Sequence, residues 1–473
     1  MSKDFKYQQI ARIIENQITT KVLVTGNKLP SLRQLCTTYG ISQSTALAVY
    51  YELEAKSYVT ATPKSGYYVS HLPDKVRILP ETSNPGGAAS GDVLETITER
   101  IFDTRDSDRI QLAEGAPAAA LLPVAKLNKA MLQAMRSLTI SGIDYDSTQG
   151  SERLRQQIVR HTYHLPQLTP EDLIITSGCI NALSYALMAT TRPGDTIAVE
   201  SPVYFGILRL AKNLQLNIIE LPTHPITGIV LESFEKTLKK HQPAACILVS
   251  NFSNPLGSLM PDTHKKEVVR LIQLYGIPLI EDDIYGDLHF GSRPTTCKSF
   301  DNSGLVLLCS SFSKTLAPGY RVGWIAPGKF KKEILRLKRI HTIASPTLPQ
   351  EAIASFLENG RYDHHLRKLR RALHTNCIQY TRTIDLHFPE STRISSPQGG
   401  MILWVELDKK TDTLQLFEKA LQSGVSIAPG KMFTLQNQFG NCLRLNYGMV
   451  WNPETERALQ IIGGIAKEME VNS

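Results

Sequence analysis

Short, unbroken apolar runs recur between stretches of helical periodicity from Gln111 onward, and this alternation restricts the fold more than any other feature. The runs lie at 173–176, 196–199, 245–249, 277–280, 305–308 and 322–326. A strand with one wet face alternates apolar and polar residues. A strand without that alternation is buried on both faces, as in a mainly parallel sheet sandwiched by helices. The expectation is a large α/β domain over about 110–330. From about 331 to 473, charged helical stretches accompany two more apolar runs, 401–405 and 442–446, the pattern of a smaller α+β domain.

The first seventy residues follow a different plan. Ile10, Ile13, Ile14 and Ile18 fall near helical spacing. Leu29-Pro30 then interrupts the pattern, and Ser31 is placed to cap a short helix through Thr38. Tyr39-Gly40-Ile41 makes a turn. Ser42 starts a third helix, with Ala46, Val49, Tyr50 and Leu53 at i, i+3, i+4 and i+7. Two alternating segments, 58–61 and 67–69, flank a hairpin tip at Pro63-Lys64-Ser65-Gly66. Three helices and a two-stranded wing predict a winged helix-turn-helix over 1–71. Pro73, Pro80, Pro85, Gly86, Gly87, Ser90 and Gly91 mark a linker over 72–92. A helix over 93–102 is expected to begin the second part, 93–473.

At 473 residues the chain exceeds one core and should divide into two or three domains. It has no run of eighteen apolar residues, so no membrane span is expected, and its start lacks a signal-peptide core. Seven cysteines with scattered spacing argue against a disulfide framework and against a zinc site. These features predict a cytoplasmic protein without a metal. The net charge is +8, and residues 1–80 hold ten Lys or Arg against five Asp or Glu. A small domain carrying most of the positive excess suits a nucleic-acid partner, although a basic solvated surface has the same composition.

The chemistry concentrates at the ends of the apolar runs. Ser310-Ser311-Phe312-Ser313-Lys314 follows one of them, with Arg321 seven residues after the lysine. An amine condenses with an aldehyde, and hydroxyls with a guanidinium hold a phosphate, so this segment suits a phosphorylated aldehyde. Ser177-Gly178-Cys179 passes from strand to helix, where backbone N–H groups suit a phosphate; taken singly it is an ordinary turn. Tyr204 follows a strand end and suits stacking on a flat ring, or a place at the rim of a core. Asn254, fixed by Pro255, has an amide that can donate to a phenolate oxygen, with Tyr285 placed to join it. Asp282 ends an apolar strand and can pair with a pyridine nitrogen. A magnesium site is the competing reading for that carboxylate, and no second acidic cluster with suitable spacing supports it.

Taken in order, Gly178-Cys179, Tyr204, Asn254-Pro255-x-Gly257, Asp282-x-x-Tyr285, Ser311-x-Ser313-Lys314, Arg321 and Arg444 resemble the fold-type I, class I/II aminotransferases over about 110–470. The resemblance implies pyridoxal 5'-phosphate as cofactor. It implies Lys314 as its covalent anchor, Asp282 at the pyridine nitrogen, Asn254 and Tyr285 at the ring oxygen, and Tyr204 on the ring face. Ser311, Ser313, Arg321 and the Gly178-Cys179 turn would hold the phosphate, joined by Tyr145 from a neighbouring subunit. Arg444 resembles the arginine that forks onto a substrate α-carboxylate, a two-bond geometry that lysine lacks. Cys179 and Ile180 depart from the small and polar residues common in that turn. No second arginine for a dicarboxylate side chain is evident, so an acidic substrate is not supported.

The segments 29–35, 39–45 and 64–67 resemble the winged helix-turn-helix of GntR regulators. That resemblance places Ser42, Gln43, Ser44 and Thr45 at the major groove, Arg33 on a phosphate or a guanine edge, and Lys64 and Gly66 at the wing tip. Gln43 stands where arginine is common, which favours adenine over guanine. For Ser44 and Thr45, capping or packing is an equal alternative. A GntR reader joined to a full aminotransferase domain resembles the MocR-type branch of that family. The implied protein is a homodimer that binds double-stranded operator DNA and senses a small amino compound, or pyridoxal phosphate itself. A working aminotransferase with a DNA-binding arm is the alternative, because the catalytic set is complete.

Overall fold

The computed structural model describes residues 5–471 apart from 20–21, 25, 57, 63–64, 71–77, 87–97, 102–108, 139–143, 163–164 and 166. The chain divides into two compact units, one made chiefly of the chain up to Ile78 and one of Leu79–Cys377 with the chain from Thr383 onward.

In the first unit, α1 (Lys6–Thr19), α2 (Leu32–Tyr39) and α3 (Gln43–Ala55) precede β1 (Val59–Thr62) and β2 (Gly66–Val69). Ser31 and Gln34 form a reciprocal capping box on α2, and Gly40 ends that helix in the left-handed conformation. Ser42 caps α3 by accepting from the Thr45 N–H. The hairpin pairs Val59 with Val69 and Thr62 with Gly66. Ala46, Val49, Tyr50 and Leu53 are all buried with Ile10, Ile14, Ile18 and Leu35. Ile13, expected on the same face as Ile10, is instead 46% exposed. This is the predicted winged helix-turn-helix.

The second unit is built on an eight-stranded sheet. Its strands are β4 (Ile174–Thr176), β5 (Thr196–Ser201), β6 (Asn217–His224), β7 (Gly228–Ile229), β8 (Ala245–Leu248), β9 (Leu279–Asp282), β10 (Val306–Ser311) and β11 (Gly323–Ala326). Their spatial order is β4-β11-β10-β9-β8-β5-β6-β7. The five strands β10, β9, β8, β5 and β6 run parallel, and β11 runs antiparallel to both of its neighbours. Strands β8, β9 and β11 are buried along their whole length, as strands covered on both faces are. Helices α4 (Val124–Ser137), α5 (Glu152–His161), α6 (Cys179–Thr190), α7 (Phe205–Asn213), α8 (Leu231–His241) and α9 (Asp262–Tyr275) accompany these strands. Among the described residues the second unit is an α/β fold with a mixed and mostly parallel sheet, as expected from the sequence.

After the sheet come α10 (Lys331–His341), α11 (Thr347–Glu358) and the 27-residue α12 (Arg361–His387). The smaller part then adds β12 (Arg393–Ile394), β13 (Ile402–Glu406), α13 (Thr413–Gln422), β15 (Ala428–Pro429), β16 (Cys442–Asn446) and α14 (Pro453–Val471). Its antiparallel sheet has the order β12-β13-β16-β15. The early strand β3 (Ile110–Gln111) pairs in parallel with β14 (Val425–Ser426).

Two departures from the sequence reading have clear causes. Strand β6 (Asn217–His224) mixes Glu220, Pro222, Asn217, Thr223 and His224 with only three apolar residues, which disguises it. Residues 79–86, inside the expected linker, lie on the second unit: Ser83 is buried and exchanges hydrogen bonds with Thr223 of β6 (2.8 and 3.2 Å). Glu81 pairs with Arg393 (2.9 Å) and Lys409 (3.2 Å). The expected helix at 93–102 lies outside the described residues except for 98–101, which are helical.

Candidate functional site

Parallel strands present all their C-terminal ends at one edge of a sheet, where successive loops converge. Here β5 runs into Tyr204, β8 into Asn254, β9 ends on Asp282 and continues to Tyr285, and β10 runs into Lys314. Strand β4 delivers Gly178-Cys179 to the same edge, because Thr176 pairs with Gly323, which in turn pairs with Ser311. The loop between β10 and β11 carries Arg321 there. These loops enclose a cavity of about 240 Å³ lined by Cys179, Tyr204, Asn254, Asp282, Tyr285, Ser313, Lys314, Arg321 and Arg444.

Lys314 sits on a turn held from both sides. Ser311 Oγ accepts the Ser313 N–H (3.2 Å), and Thr315 is bonded by Tyr362 Oη (2.9 Å) and by His365 Nε2 through its carbonyl (2.7 Å). Burial, reinforced by the charges of Arg444 and Arg321, pulls the Lys314 amine down to about 8, against a partial offset from Asp282. Burial likewise pushes the Asp282 carboxyl up to about 6. Both groups therefore sit near neutrality, one partly free as an amine and the other mostly ionised at pH 7.

Arg444 lies on β16 and is 2% exposed. Its Nη1 donates to Asn254 Oδ1 (3.0 Å), Nη2 donates to the Ala113 carbonyl, and Nε has no hydrogen-bond partner. Asn254 Nδ2 in turn faces Tyr285 Oη at 3.5 Å. This chain leaves a buried guanidinium facing the cavity with an unused donor, which in a low-dielectric site calls for an anion.

At the opposite end, Arg321 Nη1 donates to Ser313 Oγ (3.3 Å) and Nη2 to the Ser177 carbonyl (3.3 Å). Cys179 is the first residue of the twelve-residue α6, so its backbone N–H points out of a helix N-terminus. Gly178 has φ +88°, and a Cβ there would collide with the Arg321 guanidinium. Guanidinium, hydroxyl and helix N-terminus converge on a space that a side chain would fill, and this donor set fits a phosphate. With a poised amine and a buried carboxylate on the same wall, the residues present fit pyridoxal phosphate.

Three residues expected at the site do not line the cavity. Ser311 is buried beneath it and acts on the Ser313 backbone. Gly178 acts through the space it leaves. Tyr145 is 79% exposed. Several residues that do line it were not anticipated: Ala113, Glu114, Gly115, Phe205 and Met432. Gly115 is the recoverable one, since Gly115-x-Pro117 is a turn signal. A Cβ at Gly115 would stand 3.6 Å from Tyr285 Oη and 3.9 Å from Arg444 Nη1.

In the first unit, Arg33, Ser42, Gln43 and Ser44 are exposed, and Thr45 is half-buried. The Ser42 hydroxyl is shared with Ser44 and Thr45 (2.8 Å each), so all three serve the start of α3. Gly66 adopts φ +115° at the base of β2, with Lys28 Cε 3.6 Å from where a Cβ would be. Lys64 lies outside the described residues. Among the described residues no cluster of three His, Cys, Asp or Glu could hold a metal, none of the seven cysteines is in a disulfide, and no helix is long and apolar enough to cross a membrane.

Comparison with known proteins matches both units. The family described as aminotransferase class I and II matches residues 107–462, and that of bacterial regulatory proteins, gntR family, matches residues 6–69. The uncharacterized HTH-type transcriptional regulator YjiR of Escherichia coli is 35% identical over 97% of this chain and 98% of its own. The HTH-type transcriptional regulator NorG of Staphylococcus aureus is 26% identical over 93% of this chain and 100% of its own. Among solved structures, the α-aminoadipate aminotransferase LysN of Thermus thermophilus, complexed with N-(5'-phosphopyridoxyl)-L-leucine, superposes with a TM-score of 0.74. It is 25% identical and covers 80% of this chain and 96% of its own.

Proposed function

Because the chain belongs to the class I and II aminotransferase family and carries a GntR-type winged helix-turn-helix of the MocR kind at its front, we propose that it is a pyridoxal-phosphate-dependent transcriptional regulator. In this reading a small amino compound bound beside Lys314 alters how the chain holds DNA. The observation that carries it is the 35% identity with a helix-turn-helix regulator across both units at once.

When bound, pyridoxal phosphate supplies an aldehyde carbon that condenses with amines and a ring nitrogen that stabilises negative charge. The chain's residues then divide the work. Lys314, with its amine near 8, has roughly a tenth of its population uncharged at pH 7 and would be the amine that anchors the aldehyde. Asp282 keeps a proton on the ring nitrogen by charge pairing. Asn254 and Tyr285 would hold the ring oxygen, and Tyr204 would cover one ring face. Arg321, Ser313 and the α6 N-terminus hold the phosphate. Arg444 takes the α-carboxylate of the incoming amino compound through the donor that now lacks a partner. An amino compound held there would compete with Lys314 for the cofactor's aldehyde, so its binding would change the charge that the Lys314 amine carries. Operator affinity then changes by no more than the compound's preference between the two arrangements.

Gln43 and Arg33 are the proposed DNA contacts of the described first unit, with Gly66 and Lys64 at the wing. Ser42, Ser44 and Thr45 set the start of the reading helix and leave the serine hydroxyls within reach of phosphates. The chain is proposed to act as a homodimer in the cytoplasm. Exposed Tyr145, Ile180, Ile340 and Ile343 on the second unit suit a subunit contact, and seven cysteines outside any disulfide suit a reducing compartment.

The test is operator binding by the full-length protein, on duplexes selected from a random pool, with pyridoxal phosphate alone and with added amino compounds. Wild type should change affinity with at least one α-amino acid, and Arg444→Gln should bind cofactor without that change. If neither cofactor nor amino compound alters binding, the regulatory reading fails. Sustained keto-acid production would instead identify a working aminotransferase.

A further inference from the structure

Cys179 occupies a place that phosphate binding alone does not explain. Only its backbone N–H is needed at the helix start, yet its side chain is 3% exposed and points away from solvent. The thiol donates to Asp282 Oδ1 at 3.2 Å. The Ile284 N–H donates to the same oxygen at 3.1 Å. Among the described residues no protein group is hydrogen-bonded to Asp282 Oδ2.

We propose that Cys179 is a positioning residue for the cofactor carboxylate: its thiol and the Ile284 N–H pin Asp282 Oδ1, which turns Oδ2 toward the cavity and the pyridine nitrogen. Two donors on one oxygen fix both rotation and tilt of a carboxylate, which one donor cannot do. The choice of cysteine follows from the surroundings. Buried beside Asp282, the thiol is held far above its ordinary pKa, so it remains protonated and keeps its donor. A second thiol, Cys309, lies across the β9–β10 ladder from Asp282 and is likewise held protonated. A thiol is a weak donor that tolerates apolar walls, and it fills space that water would otherwise occupy. The other titratable groups facing Asp282 are Asp283, Glu200, Tyr204, Tyr285 and Lys314.

This inference rests on the cofactor reading, and the test separates the two. Full-length wild type, Cys179→Ala and Cys179→Ser are loaded with pyridoxal phosphate, and both the dissociation constant and the pH midpoint of the visible absorbance are measured. Loss of one weak hydrogen bond to a charged group should weaken cofactor binding about fivefold in Cys179→Ala and shift the midpoint. Cys179→Ser, which restores a donor, should return both most of the way. A wild-type midpoint in Cys179→Ala would overturn the proposal. So would a loss of affinity in both variants at an unchanged midpoint, which would assign the side chain to the phosphate. Should Cys179→Ala not fold, infrared difference spectra of wild type against Cys179→Ser decide. The S–H stretch of Cys179 should lie below that of an unbonded thiol and move on cofactor binding, and a band at the unbonded position refutes the hydrogen bond. Failure of wild type to take up any pyridoxal phosphate would instead sink the cofactor reading.

Discussion

Replacing Glu200 by glutamine tests the electrostatics beneath the site. Glu200 lies near the end of β5, is 1% exposed, and has one hydrogen bond, from the Val249 N–H to Oε2 at 3.1 Å; Oε1 has no partner. Burial, the largest cause, pushes its carboxyl from the ordinary 4.5 up to about 8, with the nearby Asp282 charge adding to the rise. Between those two values the folded chain keeps a proton that the unfolded chain has released. Stability from this group is complete below about pH 4.5 and is lost progressively as pH rises through 8. The limiting slope is about 1.4 kcal/mol per pH unit, so raising pH from about 5 to 8 should cost wild type roughly 2–4 kcal/mol. Glutamine copies the protonated carboxyl in shape and has no proton to lose, so Glu200→Gln should escape that loss. Glu220 and Glu281 are also buried with raised pKa values, but both are common to the two proteins and cancel in their difference. All three tryptophans, Trp324, Trp404 and Trp451, belong to the second unit, so urea unfolding followed by their fluorescence reports on it. The wild-type-to-variant gap should change by roughly 2–4 kcal/mol between pH 5 and pH 8. An equal gap at both pH values would mean that Glu200 is ionised in the folded protein, and the reasoning would fail. Its neutrality at pH 7 matters for function, because it leaves Asp282 as the nearer charge for a ring nitrogen.

Gly178→Ala combines a left-handed backbone with a collision against Arg321, and should weaken pyridoxal phosphate binding at least about tenfold in an absorbance titration; unchanged affinity would remove the phosphate cradle. Acidic amino acids should perturb the visible spectrum of the loaded protein at least about tenfold more weakly than leucine or methionine. The cations lining the cavity, Lys314, Arg321 and Arg444, each have an assigned partner, and Glu114 adds a negative charge; equal responses would contradict that assignment. Arg33→Ala should lower the slope of log affinity for DNA against log salt by about one, and an identical slope would place Arg33 off the phosphates.

Much of this molecule is written locally. The helix-turn-helix was readable because Ser31, Gly40 and Ser42 are capping and turn residues acting within a few positions, and the structure gives each of them that local job. The parallel strands were readable because burial on both faces leaves an unbroken apolar run. What stayed hidden depends on distant partners. Strand β6 places Glu220 against Ser201 and Thr434, so a carboxylate sits inside a strand and masks it. Residues 79–86 have linker composition, yet Ser83 is buried by Thr223, a hundred and forty residues away. The same holds at the site. Cys179 looked like a departure in a phosphate turn, and only the fold reveals Asp282 beside it. Ala113 had no chemical signature at all and Gly115 only its Gly-x-Pro spacing; they approach Arg444 and Tyr285 through backbone alone.

The central claim is that one buried amine anchors a vitamin-derived aldehyde in a DNA-reading chain. Loading the full-length protein with pyridoxal phosphate, reducing it with borohydride and mapping the peptides by mass tests this directly. The account predicts a pyridoxyl group on the peptide containing Lys314 and none in Lys314→Ala; a protein that carries no such group, or carries it on another lysine, contradicts it.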